Sequence, residues 1–312
     1  MNRSAFTMQN GIHFISGLPR SGSTLLAAIL RQNPRIHAGM SSPLAALFRS
    51  LMQGMGPQGE LSAMLTQGQR ENVLLGLFDS YYKDIHRTKV VLDTNRLWCS
   101  KMAAIVKLFP EARVIVCVRD LAWILDSFER ILSKEPLLVS KMFQPRDAAT
   151  IYTRVGALAA GLGTVGFAWN AVQEAFWGEH ADRLLVVDYE ALAREPARTI
   201  ERVYDALGLP AFDHDFENVS YEDGGEVDAQ LGAPGLHTVT GRVEFVERQT
   251  ILPPDLYQRF SGRVFWRRPR ANTRNVSVVL PSQQRSSSLA EEAGQSAALA
   301  GGVLPIHANA GL

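Results

Sequence analysis

Residues 12–32 read IHFISGLPRSGSTLLAAILRQ, and the reading of this stretch decides the fold class. Residues 12–16 (IHFIS) are a short apolar run of buried-strand type, and residues 24–32 (TLLAAILRQ) open a helical pattern. Between them lies Gly17-Leu18-Pro19-Arg20-Ser21-Gly22-Ser23-Thr24, a strand-to-helix turn with glycine near both ends. Such a turn points backbone N–H groups outward from a helix N-terminus, where the helix dipole favours an anion. The hydroxyls of Ser23 and Thr24 add donors. The stretch therefore reads as a phosphate cradle.

Working outward, further strand candidates are residues 90–92 (VVL), 113–118 (RVIVCV) and 184–187 (LLVV). Helical patterns lie between them at 98–108, 121–132 and 191–207. In the first, Met102, Ile105, Val106 and Phe109 recur at helical spacing; after the last, Gly208 suits a helix terminus. Strands alternating with helices imply a parallel sheet covered on both faces. The expected class is α/β: a P-loop-containing three-layer fold with a central parallel β-sheet flanked by helices. Residues 156–166 are rich in small side chains, as a close-packed helix or a flexible cover would be. Residues 221–241 are rich in glycine and acid and read as a long loop, a kind that is often functional.

The chain has 312 residues, the size of two average domains or one enlarged α/β domain. Its reading divides into an N-terminal extension (1–11), one domain (12–280) and a tail (281–312) without aromatic residues, expected to be disordered or weakly helical. Lys and Arg total 32 against 31 Asp and Glu, a net charge of +1, which argues against a general nucleic-acid binder. No run of 18 uncharged apolar residues predicts a transmembrane helix. Cys99 and Cys117 are the only cysteines, and Cys117 sits in a strand candidate, so a reducing compartment fits better than a disulfide framework. The N-terminus lacks the apolar core of a signal peptide, which makes a cytoplasmic location the expectation; Met8 offers an alternative start.

The cradle has the spacing of the Walker A motif, GxxxxGK[ST], except that Ser23 stands where the lysine belongs. That lysine reaches the β- and γ-phosphates of a nucleoside triphosphate, so its absence argues against ordinary kinase or ATPase chemistry. The cation has moved into the loop, as Arg20. A second anion site follows the 113–118 strand, where Arg119-Asp120 leads towards Ser127. Arg119 stands at the carboxyl end of a strand, where ligands of open α/β sheets bind. Read alone, Arg119 and Asp120 equally suit a surface ion pair.

Together, the GLPRSGST turn and VRD followed by a serine eight residues after the arginine resemble the PAPS-dependent sulfotransferase family (PAPS is 3′-phosphoadenosine 5′-phosphosulfate). The PRSGST form is closest to its tyrosylprotein and bacterial branches. The resemblance continues through Val187-Asp188-Tyr189-Glu190 and the following REPARTIERVYDALGLP. It implies that Arg20, Ser21, Gly22, Ser23 and Thr24 hold the 5′-phosphosulfate, that Arg119 and Ser127 hold the 3′-phosphate, and that Tyr189 contacts the nucleotide. Arg242, after Gly241, would belong to a basic segment closing over it. PAPS serves as co-substrate with no metal expected. The acceptor is a hydroxyl on a peptide tyrosine, a phenol, a carbohydrate or another alcohol. The competing readings are a P-loop kinase-like phosphotransferase and a catalytically inactive nucleotide-binding protein.

The family's base is missing. Its glutamate after the first helix aligns near Ser41, and no histidine follows the second strand. Two substitutes arise: Asp93 at a strand end beside Arg96, and His37 just past the first helix. Either is equally readable as structural, Asp93 as a loop carboxylate paired with Arg96 and His37 as a packed surface residue. Arg96 itself would contact the sulfonate. Arg263, Arg267, Arg268, Arg270 and Arg274, with Phe265 and Trp266 interleaved, form a basic run suited to an anionic ligand or to a solvated face.

Overall fold

A computed structural model describes residues 11–282, apart from 58, 135, 136, 138, 139, 223 and 224. The strands are β1 (Ile12–Gly17), β2 (Ile36–Ala38), β3 (Val90–Thr94), β4 (Val114–Val118), β5 (Leu184–Asp188), β6 (Val219–Tyr221), β7 (Val239–Gly241) and β8 (Ser277–Val279). The helices are α1 (Ser23–Leu30), α2 (Leu44–Gly54), α3 (Gln67–Tyr81), α4 (Met102–Leu108), α5 (Leu121–Leu132), α6 (Ile151–Ala159), α7 (Thr164–Trp177), α8 (Tyr189–Arg194), α9 (Pro196–Leu207), α10 (Gly225–Leu231) and α11 (Pro254–Phe260).

Six strands form one sheet in the order β2-β3-β1-β4-β5-β8, every neighbouring pair parallel. β6 and β7 pair antiparallel apart from it. The period-2 alternation of the central strands sorts their side chains. Phe14, Val114, Val116 and Val118 enter one core with α2–α7 and α11. Ile15, Ile115, Cys117 and Val187 enter the other with α1, α8 and α9. The result is the expected three-layer architecture. On the first face Phe14 meets Trp98 at 5.1 Å and Phe78 meets Phe109 at 5.0 Å, edge-on contacts worth about 0.5–1.5 kcal/mol each beyond their burial.

Several boundaries differ from the sequence reading. The 191–207 helix is two helices: Pro196 has no N–H to donate and its ring disfavours a continuous helix, so the chain breaks at Glu195. The 98–108 helix begins as a 3₁₀ segment, Arg96–Lys101, before α4. β2 and β8, three residues each, are too short to show a period and exist because they dock on β3 and β5. The 221–241 loop instead holds the end of β6, all of α10 and β7. The small residues of 156–166 end α6 and start α7 at close quarters, since a Cβ on Gly166 would lie 2.0 Å from the Ala160 carbonyl oxygen. The run Ile151–Trp177 is long and apolar enough to cross a membrane by composition. It is nonetheless interrupted between the two helices, and Val155, Leu158, Val165, Ala168 and Phe176 pack into the core. Residues 1–10 and 283–312, which carry most of the expected N-terminal extension and tail, lie outside the described residues.

β1 is central, with β3 on one side and β4 on the other. From β1 the chain passes to the edge strand β2 and returns through β3, then crosses to β4 on the other side of β1 and steps outward to β5 and β8. That reversal leaves a crevice beyond the carboxyl ends of β1 and β4, where α/β sheets bind ligands.

Candidate active site

The turn after β1 is built by one close approach. Gly17 pairs with Cys117 of β4 at a φ of +115°, and a Cβ there would stand 2.1 Å from the Cys117 carbonyl oxygen. The Leu18 N–H then donates to that same carbonyl at 2.8 Å. The Ser21 hydroxyl donates to the carbonyls of Leu18 and Cys117, the latter at 2.9 Å. Ser21 is thus buried and its hydroxyl closes the loop from inside, so it offers a ligand only its backbone. Arg20 is held at a φ of +58°, unusual for a side chain with a Cβ and of the kind that concentrates at functional sites. Gly22 caps α1 in the left-handed region with no side-chain cap and no acid in the first turn. The leading N–H groups of α1, with Ser23 and Thr24, therefore face the crevice as an anion site.

A cavity of about 700 Å³ opens there, of the size that takes a drug-sized ligand. Its floor is the 17–25 turn. One wall holds Thr94 at the end of β3 with Asn95 and Arg96 after it; another holds Arg119 after β4 and Tyr189 after β5. The roof is the segment 227–244, with Val227, Leu231, Leu236, His237, Arg242 and Glu244. Arg20, Arg96, Arg119 and Arg242 face the space, against one lining carboxylate among the described residues, Glu244.

Arg20 reaches across this space. Its Nε donates to the Ser127 hydroxyl at 3.0 Å and its Nη1 to the Leu236 carbonyl. Arg119 lies 4.0 Å from the Tyr189 ring centre, a cation–π contact, and donates to the Arg20 carbonyl at 3.4 Å. Burial first, then the neighbouring Arg119, pulls the Arg20 guanidinium down to about 10; burial also lowers Arg119. Two cations pushed against each other in one cleft form a site that gains from an arriving anion. Ser127 stands with Arg20 rather than Arg119, because it lies two turns along α5.

The two expected bases sit elsewhere. Asp93 is buried in the core, where its carboxylate accepts from the Tyr82 hydroxyl at 2.6 Å and the Trp98 indole at 2.7 Å. Burial, opposed by hydrogen bonds from Ser42, Tyr82 and Trp98, leaves its pKa raised. The expected ion pair with Arg96 is not formed; among the described residues the Arg96 guanidinium meets no carboxylate, and it lines the cavity. His37 on β2 packs edge-on against Tyr82 at 5.6 Å, outside the cavity lining, and burial lowers its pKa. The direction β3 takes at its end explains the position of Asp93: Thr94 and the residues after it turn into the crevice, whereas Asp93 points into the aromatic core.

Arg242 lines the cavity and pairs with Glu217 at 3.3 Å. The 263–274 basic run is a clasp. Arg267 bonds Asp188 at 2.8 Å and Glu190 at 2.9 Å, Trp266 donates to Asp188, and both aromatics of the run are buried. Sequence reading passed over the roof's own constellation. His237 Nδ1 meets Asp228 Oδ1 at 2.5 Å, and the His237 N–H donates to Asp228 Oδ2 at 2.8 Å. Asp228 is buried and His237 lines the cavity. The only sequence signal was a long acidic, glycine-rich connection. Among the described residues no cluster of three or more His, Cys, Asp or Glu side chains is arranged to hold a metal.

A strand-to-helix anion cradle at the switch point of a parallel sheet, with Ser23 in the Walker lysine position and the cation carried by Arg20, defines an α/β protein of P-loop type. The sulfotransferase family model matches residues 13–214, and the chain belongs to that family. It is 23% identical over 207 residues to protein-tyrosine sulfotransferase 1 of Danio rerio; the match takes in 63% of this chain and 53% of that protein, about half its length. Among solved structures it is similar to the sulfotransferase domain of the Synechococcus PCC 7002 olefin synthase (22% identity, 91% of this chain and 94% of that one, TM-score 0.41). A sulfotransferase domain from the curacin biosynthetic pathway is also similar (17% identity, 92% and 99%, TM-score 0.44).

Proposed function

We propose that this chain transfers a sulfuryl group from PAPS to a hydroxyl acceptor. The observation that carries this reading is the convergence of Arg20, Arg119 and the uncapped N-terminus of α1 on one cavity, with Ser23 in the lysine position. That set suits a small polyanion with two separated phosphate positions and no γ-phosphate. The 17–24 turn takes the 5′-phosphosulfate, and Arg119, stacked on Tyr189, takes the 3′-phosphate.

Sulfuryl transfer needs positioning and charge stabilisation more than covalent help, by analogy with phosphoryl transfer. Arg20 neutralises the charge that grows on the departing 5′-phosphate. Arg96, facing the cavity without a carboxylate partner, steadies the sulfonate oxygens. Both are poised before the donor arrives, which is what makes such groups effective. Met40, Phe128, Met142, Val227, Leu231 and Leu236 give the cavity an apolar side for the body of the acceptor. The tyrosine hydroxyl in the zebrafish relative's name is one acceptor of this class; a phenol or a sugar alcohol are others. The free, buried Cys99 and Cys117 support a reducing, cytoplasmic setting.

The test is incubation with ³⁵S-labelled PAPS and a panel of peptide, phenol and carbohydrate hydroxyls. Arg20-dependent label in an acceptor is expected. Magnesium-dependent phosphate transfer from ATP would replace this reading by a kinase. Metal-free binding of adenosine 3′,5′-bisphosphate without any transfer would replace it by a nucleotide-binding protein.

A further inference from the structure

Neither carboxylate nor imidazole that sequence reading put forward faces the cavity, yet a sulfuryl acceptor must lose its proton. We infer that His237 is the general base of this site, oriented by Asp228; the inference rests on the reaction proposed above. Three observations carry it. First, His237 lines the same cavity as Arg20, Arg96 and Arg119. Second, Asp228 holds it by two bonds, to its backbone N–H at 2.8 Å and to its ring Nδ1 at 2.5 Å. A buried carboxylate accepts from both groups, so Nδ1 carries a hydrogen and the Nε2 lone pair is left to take a proton. Third, the preceding residue, Leu236, offers its carbonyl to the Arg20 guanidinium. One peptide unit, about 3.8 Å from Cα to Cα, thus separates the base from the residue gripped by the phosphate-loop cation.

The alternative proton acceptors are worse placed. Asp93 is enclosed by Tyr82 and Trp98, His37 packs edge-on against Tyr82, and Glu244 is a solvent-exposed lining carboxylate with no orienting partner among the described residues. Of the four groups considered, Asp93, His37, Glu244 and His237, only His237 combines a cavity position with a buried partner that sets its tautomer.

The step balances. The acceptor oxygen forms a bond to sulfur while its proton passes to His237 Nε2. The bond between sulfur and the bridging oxygen breaks, and its electron pair leaves with adenosine 3′,5′-bisphosphate beside Arg20. His237 then releases the proton to water. Asp228 does not change protonation state; it orients the ring and stabilises the imidazolium.

The experiment compares wild type with His237→Gln, His237→Ala, Asp228→Asn and Glu244→Gln in PAPS-dependent transfer. Binding of adenosine 3′,5′-bisphosphate by each variant, followed by calorimetry, reports an intact site. His237→Gln should lower kcat by about 10²–10⁴-fold with binding of the bisphosphate retained, as expected for loss of a general base. Added imidazole should restore part of the activity of His237→Ala. Asp228→Asn should lower kcat more than it raises the KM for PAPS. Unchanged kcat in His237→Gln, or a loss confined to Glu244→Gln, overturns the assignment. Loss without imidazole rescue, accompanied by lost bisphosphate binding, assigns His237 a structural role and also overturns it. If wild type itself transfers nothing from PAPS, the failure belongs to the proposed reaction instead.

Discussion

The floor and the roof of the cavity are made by opposite means. The floor is local: eight consecutive residues turn from β1 into α1, and their geometry follows from Gly17, Gly22 and the Cys117 carbonyl they lean on. The roof is assembled: Asp228 comes from α10, Leu236 and His237 from the turn after it and Arg242 from just past β7, and the segment is held to the floor through the Leu236 carbonyl and Arg20. A floor of this kind tolerates almost no change, whereas a roof can vary in sequence while the anion site below it persists. In the reaction proposed above, the floor is the donor's side of the cavity and the roof the acceptor's side.

The comparison can be broken most sharply at Gly17. Gly17→Ala places a methyl within van der Waals overlap of β4, so a loss above about 4 kcal/mol, seen as failure to accumulate folded protein, is expected. A stable Gly17→Ala protein with ordinary activity would show the floor to be more pliant than described. Arg20→Ala comes next. It should lower kcat by about 10²–10³-fold, the scale of losing one preorganised charge-stabilising group. The melting temperature should change little, because removing a cation disfavoured by burial and by Arg119 offsets the bonds lost to Ser127 and the Leu236 carbonyl.

Asp93→Asn tests whether the aromatic core, rather than the cavity, owns that carboxylate. Tyr82 and Trp98 donate to different oxygens of Asp93 and an amide keeps only one of them, so a stability loss of about 1–3 kcal/mol with kcat nearly unchanged is expected in denaturant titration and steady-state assays. A loss of kcat without loss of stability would return Asp93 to the site. Asp93 has a raised folded pKa, so the wild type binds a proton more readily folded than unfolded. Its contribution favours folding at acid pH and is lost as the pH rises from the unfolded value through the folded one.

His13 lies at the opposite end of β1 from the cavity. Burial, then Arg113, lowers it from 6.5 to about 4, so the folded state resists protonation. The stability tied to it is complete above pH 6.5 and is lost as the pH falls towards 4, with a slope of at most about 1.4 kcal/mol per pH unit. His13→Gln should flatten that slope in urea titrations. The smallest effect is at the rim: Arg242 and Glu217 are both well exposed, so Arg242→Ala should cost no more than about 1 kcal/mol of stability. A larger effect on the KM for PAPS than on stability would place Arg242 among the donor contacts.

Legibility in the sequence followed the same division. The cradle, the strands β1, β3, β4 and β5 and the arginine after β4 are all written in contiguous residues whose pattern has a period or a turn chemistry. β2 and β8 were not legible because three residues carry no period, and the break at Glu195 was overrun because an apolar stripe continues across Pro196. Asp93 and His37 were misplaced for a related reason. A strand end places a residue near a crevice, but successive side chains point to opposite faces, and the aromatic cluster of Tyr82 and Trp98 claimed the one that points inward.

The sequence by itself determined the α/β class, the anion cradle with its displaced cation, and the second arginine at a strand end, because each depends on neighbours in the chain. Only the tertiary structure decided that Ser127 serves Arg20, that Arg267 belongs to Asp188 and Glu190, and that His237 and Asp228 hang over the cradle. Those pairings join residues up to 107 positions apart. They depend on where the sheet order and the roof segment bring side chains in space, which no local pattern encodes.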